Sequence, residues 1–257
     1  MPDAALLDGK VALITGAASG QGRAAALIFA SHGASIAIAD IDDAGAGETA
    51  ARVRMTGTGA LALHADVSRR TDCDAMVNAT LTEFGRIDIL YNNAAVQMSG
   101  RLVDCTEVQW DLTVATNLNA IFWACRAALP HMLQGGGGSI INTASTLGLI
   151  GSEGYAAYGA AKAGLIALTR QIAVDYGPTV RANVIAPGSI DTPRFRTVTA
   201  AADDPDGFLE SLLGHLPLRR LGTADEIAEV ALFLASDRSA YTSGAVIPCD
   251  GGLAAFR

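Results

Sequence analysis

Lys10-Val11-Ala12-Leu13-Ile14-Thr15-Gly16-Ala17-Ala18-Ser19-Gly20-Gln21-Gly22 is the stretch that decides the fold. Up to Thr15 it is a short apolar run of strand length. Three glycines follow at Gly16, Gly20 and Gly22, and then an Ala-rich helical pattern over residues 23–32 that stops at Gly33. Strand, Gly-rich turn and helix in that order bring free backbone N–H groups and the positive end of a helix dipole to one point. Glycines let a pyrophosphate come close to that backbone. The spacing is G-x-x-x-G-x-G rather than G-x-G-x-x-G, and such a turn alone often binds nothing; the strand before it and the helix after it give it weight.

The next apolar run, residues 35–39, ends in Asp40, twenty-four residues past Gly16 (40 − 16). A carboxylate there accepts hydrogen bonds from the 2′- and 3′-hydroxyls of a ribose and repels a 2′-phosphate. Neither Ser19 nor Ile41 supplies the cation a 2′-phosphate would want, so the pattern favours NAD over NADP. The plainer reading of Asp40 is a solvated strand end beside Asp42 and Asp43. A helix over 43–56, a strand over 60–64, a helix over 71–84 and a strand over 87–91 come next. This alternation predicts an α/β fold, a doubly wound parallel sheet with helices on both faces. Ligands of such sheets sit at the carboxyl ends of strands. Asp66, Asn93 and Ala94 all fall there, Asp66 placed to meet an adenine amino group, Asn93 and Ala94 to floor the adenosine. Taken singly, each serves equally well as a turn residue capping a helix.

The chain has 257 residues, half of them hydrophobic, with 28 Gly, which suits one α/β domain over residues 1–257 with a core that needs no staple. A formal net charge of −8 argues against nucleic acid and anionic membrane as main partners. Cys73, Cys105, Cys125 and Cys249 form no C-x-x-C and read as reduced packing residues of a cytoplasmic protein. His32, His64, His131 and His215 show no metal-ligand spacing, so no metal is expected. Met1-Pro2-Asp3-Ala4 does not open a signal peptide, and no apolar run reaches the length of a membrane span.

The second half carries the chemistry. Residues 107–128 read as two helical segments with Asn117 between them, ended by Pro130 and the 135–138 Gly run. A strand over 139–143 leads to Ser145, and a helix over about 155–176 carries Tyr158 and Lys162. Tyr and Lys four apart share one helix face. A free phenol has a pKa of about 10; a fixed ammonium beside it favours the phenolate, and about three units of lowering needs ~4 kcal/mol, to which a positively charged cofactor would add. Ser145 lies thirteen residues earlier (158 − 145), far enough for a loop to fold its hydroxyl back beside the phenol. That supplies an acid/base, a charge that tunes it and a second donor for a carbonyl oxygen. Tyr-x-x-x-Lys by itself is common and usually means a half-buried aromatic beside a surface Lys, as an isolated Asn117 would mean a helix kink.

Thr15 with Gly16, Gly20 and Gly22; Asn92-Asn93-Ala94; Asn117; Ser145; Tyr158 with Lys162; Pro187-Gly188 with Thr192; and Asp250-Gly251-Gly252 occur in one order and at one set of spacings. In these the chain resembles the short-chain dehydrogenase/reductases over about residues 10–252. The resemblance implies a Rossmann-type fold. It implies Tyr158 as general acid/base, Lys162 lowering its pKa and bonding the nicotinamide ribose, Ser145 steadying the substrate oxygen, and Asn117 holding a water that links Lys162 to solvent. Ile190, through its backbone, and Thr192 would fix the nicotinamide carboxamide. Gly16, Ser19, Gly20, Gln21, Gly22, Asp40, Ile41, Asp66, Val67, Asn93, Ala94, Pro187 and Gly188 would hold the rest of NAD. A homotetramer is implied as well, built on the helices around Asn117 and Tyr158 and on the C-terminal segment. Two departures stand out: Ala95 where the family has Gly, and a turn over 175–179 about two residues short, expected to tighten the junction between helix and strand.

Residues 193–217 fall where the family places a substrate lid and read as a long, weakly structured insertion with a short amphipathic piece over 208–213. Phe195 and Phe208, with Val96, Gln97, Leu147 and Tyr155, make a mostly apolar pocket, suited to a moderately hydrophobic secondary alcohol or ketone, cyclic ones included. Thr223 with Glu226 three later reads as a capping box opening a helix to Ala235. The resemblance leaves two rivals. A 3-oxoacyl-[acyl-carrier-protein] reductase tends to use NADPH and meets an acidic partner, against which Asp40, the acidic charge and the lack of a basic patch at 175–179 all speak. A non-catalytic dinucleotide-binding regulator would have no need of Ser145, Tyr158 and Lys162 together.

Overall fold

The computed structural model describes residues 5–256. Seven strands form one parallel sheet in the order β3-β2-β1-β4-β5-β6-β9. They are β1 (Val11–Thr15), β2 (Ser35–Asp40), β3 (Ala60–His64), β4 (Ile89–Asn92), β5 (Gly138–Thr143), β6 (Val180–Pro187) and β9 (Val246–Cys249). Every pairing is parallel, with β1 between β2 and β4. The helices between them are α1 (Gly20–Ser31), α2 (Asp43–Arg54), α3 (Arg70–Phe84), α4 (Glu107–Val114), α5 (Ala120–Gln134), α6 (Ala156–Tyr176) and, before β9, α9 (Ala224–Ala235). A second parallel pair, β7 (Ile190–Asp191) with β8 (Gly222–Thr223), flanks α7 (Pro193–Ala200) and α8 (Pro205–Gly214); α10 (Leu253–Phe256) closes the chain.

β1 is buried along its whole length because both faces of the sheet are covered. Its side chains alternate: Ala12 and Ile14 enter the layer with Phe29, Ile36 and the α9 residues Ile227 and Ala231, while Leu13 enters the opposite layer with Met76, Leu90, Met132 and Leu165. The chain runs outward from β1 through β2 to β3, then returns to start β4 on the other side of β1. The carboxyl ends of β1 and β4 therefore open a crevice where ligands of such sheets bind.

Three expectations need correction. The insertion over 193–217 is mostly helical. Thr192 caps α7 by accepting from the Phe195 N–H at 3.2 Å, Asp204 caps α8 by accepting from the Gly207 N–H at 3.0 Å, and Pro193 and Pro205 follow as first helical residues. Cap followed by Pro is a helix start; the polar sequence of α7 concealed the first of the two. Helix α5 continues through Pro130 to Gln134. Arg126 and Pro130 are both exposed, so the carbonyl that loses its partner to the proline ring faces water. Helix α1 begins at Gly20, inside the turn, rather than after it. The short turn after α6 is as tight as expected, Gly177, Pro178 and Thr179 alone joining α6 to β6. Among the described residues, no helix is long and apolar enough to cross a membrane.

Candidate active site

The Gly-rich turn is pinned to the end of β4. Thr15 Oγ1 accepts from the backbone N–H of Asn93 at 3.0 Å and of Ala94 at 3.1 Å. The Asn93 amide donates back to the carbonyls of Thr15 at 3.2 Å and Gly16 at 3.1 Å. Gly16 adopts φ +66°, and a Cβ there would lie 2.7 Å from Ala94 Cα. A Cβ on Gly22 would collide with the Gly16 carbonyl oxygen and lie 2.7 Å from Asn93 Nδ2. So Gly22 acts beneath the turn, by letting α1 pack under it. Asp40 braces the turn from β2: its carboxylate accepts from the Ala18 N–H at 2.9 Å and the Asp42 N–H at 3.0 Å. Asp66 is held in the same way, Oδ1 accepting from the N–H and the hydroxyl of Ser68 at 3.0 and 2.7 Å.

From this turn a cleft of about 860 Å³ runs across the carboxyl ends of the strands. Gly16, Ser19, Gly20, Gln21, Asp40, Ile41, Asp66, Val67, Asn93 and Ala94 line one end. Ser145, Tyr158, Pro187, Gly188, Ile190 and Thr192 line the other, together with Val96, Gln97, Leu147, Tyr155, Phe195 and Phe208. Three expected residues, Gly22, Asn117 and Lys162, stand behind the wall rather than on it. Ala95 also lines the cleft. Arg219 is the sole non-glycine with positive φ among the described residues, so Ala95 fits without backbone strain.

A buried polar chain fixes the helix that carries the phenol. Asn92 of β4 donates to Asn142 of β5 at 2.8 Å, Asn142 to Thr169 of α6 at 2.9 Å, and Thr169 to the Leu165 carbonyl at 2.8 Å. Tyr158 and Lys162 sit two turns and more before Thr169 on α6, both buried. Lys162 Nζ donates to the Thr143 carbonyl at 2.8 Å and lies 5.6 Å from the Tyr158 ring centroid. Burial, aided by the like charge of Arg194, lowers the Lys162 pKa to about 7. Tyr158 departs from expectation. Burial raises its pKa, and the groups that pull it down are Arg194 and the Ser145 hydroxyl rather than Lys162. Half discharged near neutrality and anchored on Thr143, Lys162 gives the phenol little of the stabilisation expected of a full ammonium. Ser145 opens a short helical turn (Thr146–Gly148), its Oγ accepting from the Leu147 N–H at 3.1 Å.

Asn117 lies in a π-helical turn, Ala115–Asn119, between α4 and α5. Its amide donates to the carbonyls of Val96 at 2.7 Å and Thr113 at 2.9 Å, while Oδ1 is buried with no partner among the described residues. Such turns concentrate at functional positions. Gln21 Oε1 is likewise buried and unpartnered, on the cleft wall. A glycine cradle with the fixed Asp40 carboxylate beside it, and an orphaned Gln21 oxygen on the same wall, fit an extended dinucleotide.

Among the wall residues that the sequence reading overlooked are Arg194, Ile150, Leu212 and His215. Ile150 and Leu212 carried no motif. Arg194 stands two residues past Thr192 and was readable as a cation in the lid. It donates to Gln97 Oε1 at 2.7 Å and to the Ala95 carbonyl at 3.5 Å.

The model of a family described as enoyl-(acyl carrier protein) reductase matches residues 16–254. A 3-oxoacyl-[acyl-carrier-protein] reductase of Thermotoga maritima is 37% identical, covering 96% of this chain and 98% of the relative. The trans-4-hydroxycyclohexanecarboxylate dehydrogenase of Sinomonas cyclohexanicum is 39% identical, covering 95% and 92%. The crystal structure of levodione reductase superposes with a TM-score of 0.93 at 36% identity, covering 97% of this chain and 99% of that one. Fold, cleft and relatives converge: this chain belongs to the short-chain dehydrogenase/reductase family and is an oxidoreductase that binds a nicotinamide dinucleotide.

Proposed function

We propose that this protein interconverts a secondary alcohol and its ketone with NAD(H) in preference to NADP(H). The observation that carries the reading is one cleft with Ser145 and Tyr158 at one end, Lys162 behind the phenol, and Asp40 at the other end. When bound, the nicotinamide takes or gives the hydride. The chain's own residues do the rest. Ser145 and Tyr158 donate to the substrate oxygen and fix its carbon against the cofactor end of the cleft. In oxidation the ionised form of Tyr158, its phenolate, accepts the hydroxyl proton as a two-electron hydride leaves the carbinol carbon for the bound nicotinamide; in reduction the neutral phenol gives that proton to the oxygen. The buried phenol stays protonated at neutral pH, which readies it as the acid for ketone reduction. Lys162 and the open Oδ1 of Asn117 pass the proton on through a bound water. Gly16, Ser19, Gly20 and Gln21 hold the pyrophosphate, Asp40 the ribose diol, and Pro187, Gly188, Ile190 and Thr192 the carboxamide.

The apolar wall of Leu147, Ile150, Phe195, Phe208 and Leu212 supports a substrate with a hydrophobic body. A relative named for a hydroxylated cyclohexane supports a ring alcohol. Residues 1–257 make one domain with 193–217 as its lid, working in the cytoplasm as a homotetramer. Exposed Val108, Trp110 and Phe122 on α4 and α5 support that assembly. Titrating NADH and NADPH by Trp fluorescence, then offering secondary and cyclic alcohols with NAD, tests the reading. At least tenfold tighter NADH and turnover of a cyclic alcohol are expected; no turnover of any alcohol or ketone with either cofactor would sink it. The carrier-protein reductase reading draws on the Thermotoga relative; preference for NADPH together with reduction of a 3-oxoacyl thioester would put it first.

A further inference from the structure

Two arginines stand in the first turn of α7, where a helix dipole disfavours positive charge and no acidic residue offsets it. Arg196 is neutralised by Asp191, with two hydrogen bonds at 2.7 and 2.8 Å. Arg194 is not. Its partners are neutral, the Gln97 side-chain oxygen at 2.7 Å and the Ala95 carbonyl at 3.5 Å, and no carboxylate pairs with it among the described residues. A guanidinium keeps its charge at any working pH and has five donors in a planar fork, of which these two contacts use few.

Where that charge sits matters. Arg194 lines the cleft beside Phe195. It is bound to the segment that carries Val96 and Gln97, and it is near enough to Tyr158 to pull the phenol's pKa down and to Lys162 to push the ammonium's down. The two carboxylates on the wall, Asp40 and Asp66, belong to the ends of β2 and β3, on the other arm of the cleft. The substrate end is therefore mostly apolar, with Ser145, Tyr155 and His215 among its polar groups, and carries one exposed arginine that no carboxylate neutralises and a neutral amide holds in place.

We infer that Arg194 is the anchor for a carboxylate carried by the substrate, so that the alcohol or ketone handled here is a hydroxy or keto acid with an apolar body. The inference rests on the secondary-alcohol reading and names its substrate class. A planar guanidinium meets a carboxylate through two parallel N–H···O bonds, and the Leu147, Phe195 and Phe208 walls take the hydrocarbon between that carboxylate and the carbinol. Neutralising Arg194 also removes the charge that pushes protons off Lys162, so an acidic substrate leaves that ammonium easier to keep.

The test reads binding rather than turnover. Cyclopentane-, cyclohexane- and phenylacetic carboxylates and their matching carboxamides are titrated by calorimetry into the enzyme saturated with NADH. Wild type, Arg194→Gln and Arg194→Lys are compared. At least one carboxylate is expected to bind about 10- to 100-fold tighter than its amide, a charge-assisted bond's worth. Arg194→Gln should erase that ratio while leaving the amide's affinity within about twofold, and Arg194→Lys should keep part of it. Equal binding of every acid and its amide to wild type would overturn the inference. So would an Arg194→Gln loss shared equally by acid and amide, which would make Arg194 a latch on Gln97, or a matching loss of NADH affinity, which would assign its charge to the cofactor's phosphates. Oxidation of neutral alcohols with no carboxylate preference refutes the anchor and leaves the alcohol reading standing; no alcohol oxidation refutes the latter alone if the acid-over-amide ratio persists.

Discussion

Replacing Lys162 by Met should stabilise the fold. Lys162 is 1% exposed, and its ammonium has a single protein acceptor, the Thr143 carbonyl. Its pKa falls from 10.5 to about 7 on folding. Between those values the unfolded chain holds a proton that the folded chain has released, so stability rises with pH across that window and is lost as pH falls through it. At 1.36 kcal/mol per unit, keeping Lys162 inside costs about 4 kcal/mol at pH 7 and about 1–2 kcal/mol at pH 9.5. Lys162→Met removes this cost and orphans the Thr143 oxygen, which takes back about 1–3 kcal/mol. Net, the variant should be about 1–3 kcal/mol more stable at pH 7 and about equal to wild type at pH 9.5. Urea denaturation of both proteins at one protein concentration, from pH 6.5 to 9.5 and without cofactor, measures the difference; all other titrating groups cancel in it. A difference that stays flat across this range, or a variant weaker at every pH, would refute the reasoning.

Alcohol oxidation needs the Tyr158 phenolate, so its rate should climb with pH through the phenol's raised pKa, while ketone reduction falls. Ser145→Ala removes one of the two downward pulls and should move that limb to higher pH, as a pH–kcat series would show; an unmoved limb detaches Ser145 from the phenol. Asp40→Ala takes away the acceptor of the Ala18 and Asp42 N–H groups, and NADH affinity should drop by about 10-fold or more while NADPH binding holds or improves, measured by fluorescence titration. Gly16→Ala forces a side chain into φ +66° and 2.7 Å from Ala94 Cα; a loss of about 1–3 kcal/mol in thermal stability with NADH binding abolished is expected, and calorimetry checks both.

The fold was legible because its signals are local. Residues 10–22 hold a strand, a turn and a helix start within thirteen positions, and the strands read from apolar runs lie within two residues of those observed. The capping box at Thr223 and Glu226 formed as read, with Glu226 Oε2 accepting from the Thr223 N–H at 2.8 Å and Thr223 Oγ1 from the Glu226 N–H at 3.1 Å. Helix α7 was hidden because its residues are mostly polar and none is buried; of α8 only the amphipathic piece over 208–213 showed, and Thr192-Pro193 and Asp204-Pro205 were the start signals to weigh. In the site, the glycines and the Ser145, Tyr158 and Lys162 pattern could be read from spacing, while the direction of the Tyr158 shift could not. It depends on how far burial outweighs nearby charge, and burial is a property of the assembled layers.

Several features of this cleft are locally unfavourable, and each is unfavourable toward the same space. Lys162 is an ionisable amine kept from water with one acceptor, its charge already opposed by burial. Asn117 spends its amide on two carbonyls inside a π-turn and leaves its oxygen bare. Arg194 crowds the positive end of a helix with nothing anionic to meet it. A chain selected for stability alone would lose all three: a hydrophobic residue at 162, an ordinary helical turn at 117, an acidic residue at 194. Their costs are relieved by different things, a phenolate or ribose for the first, a water for the second, an anion for the third. A binary complex with cofactor therefore relieves only part of the strain. If the acid-anchoring reading holds, addition of a carboxylate to the NADH complex should raise its melting temperature beyond the sum of the two separate shifts, because Arg194 neutralised is also Arg194 no longer pushing protons off Lys162.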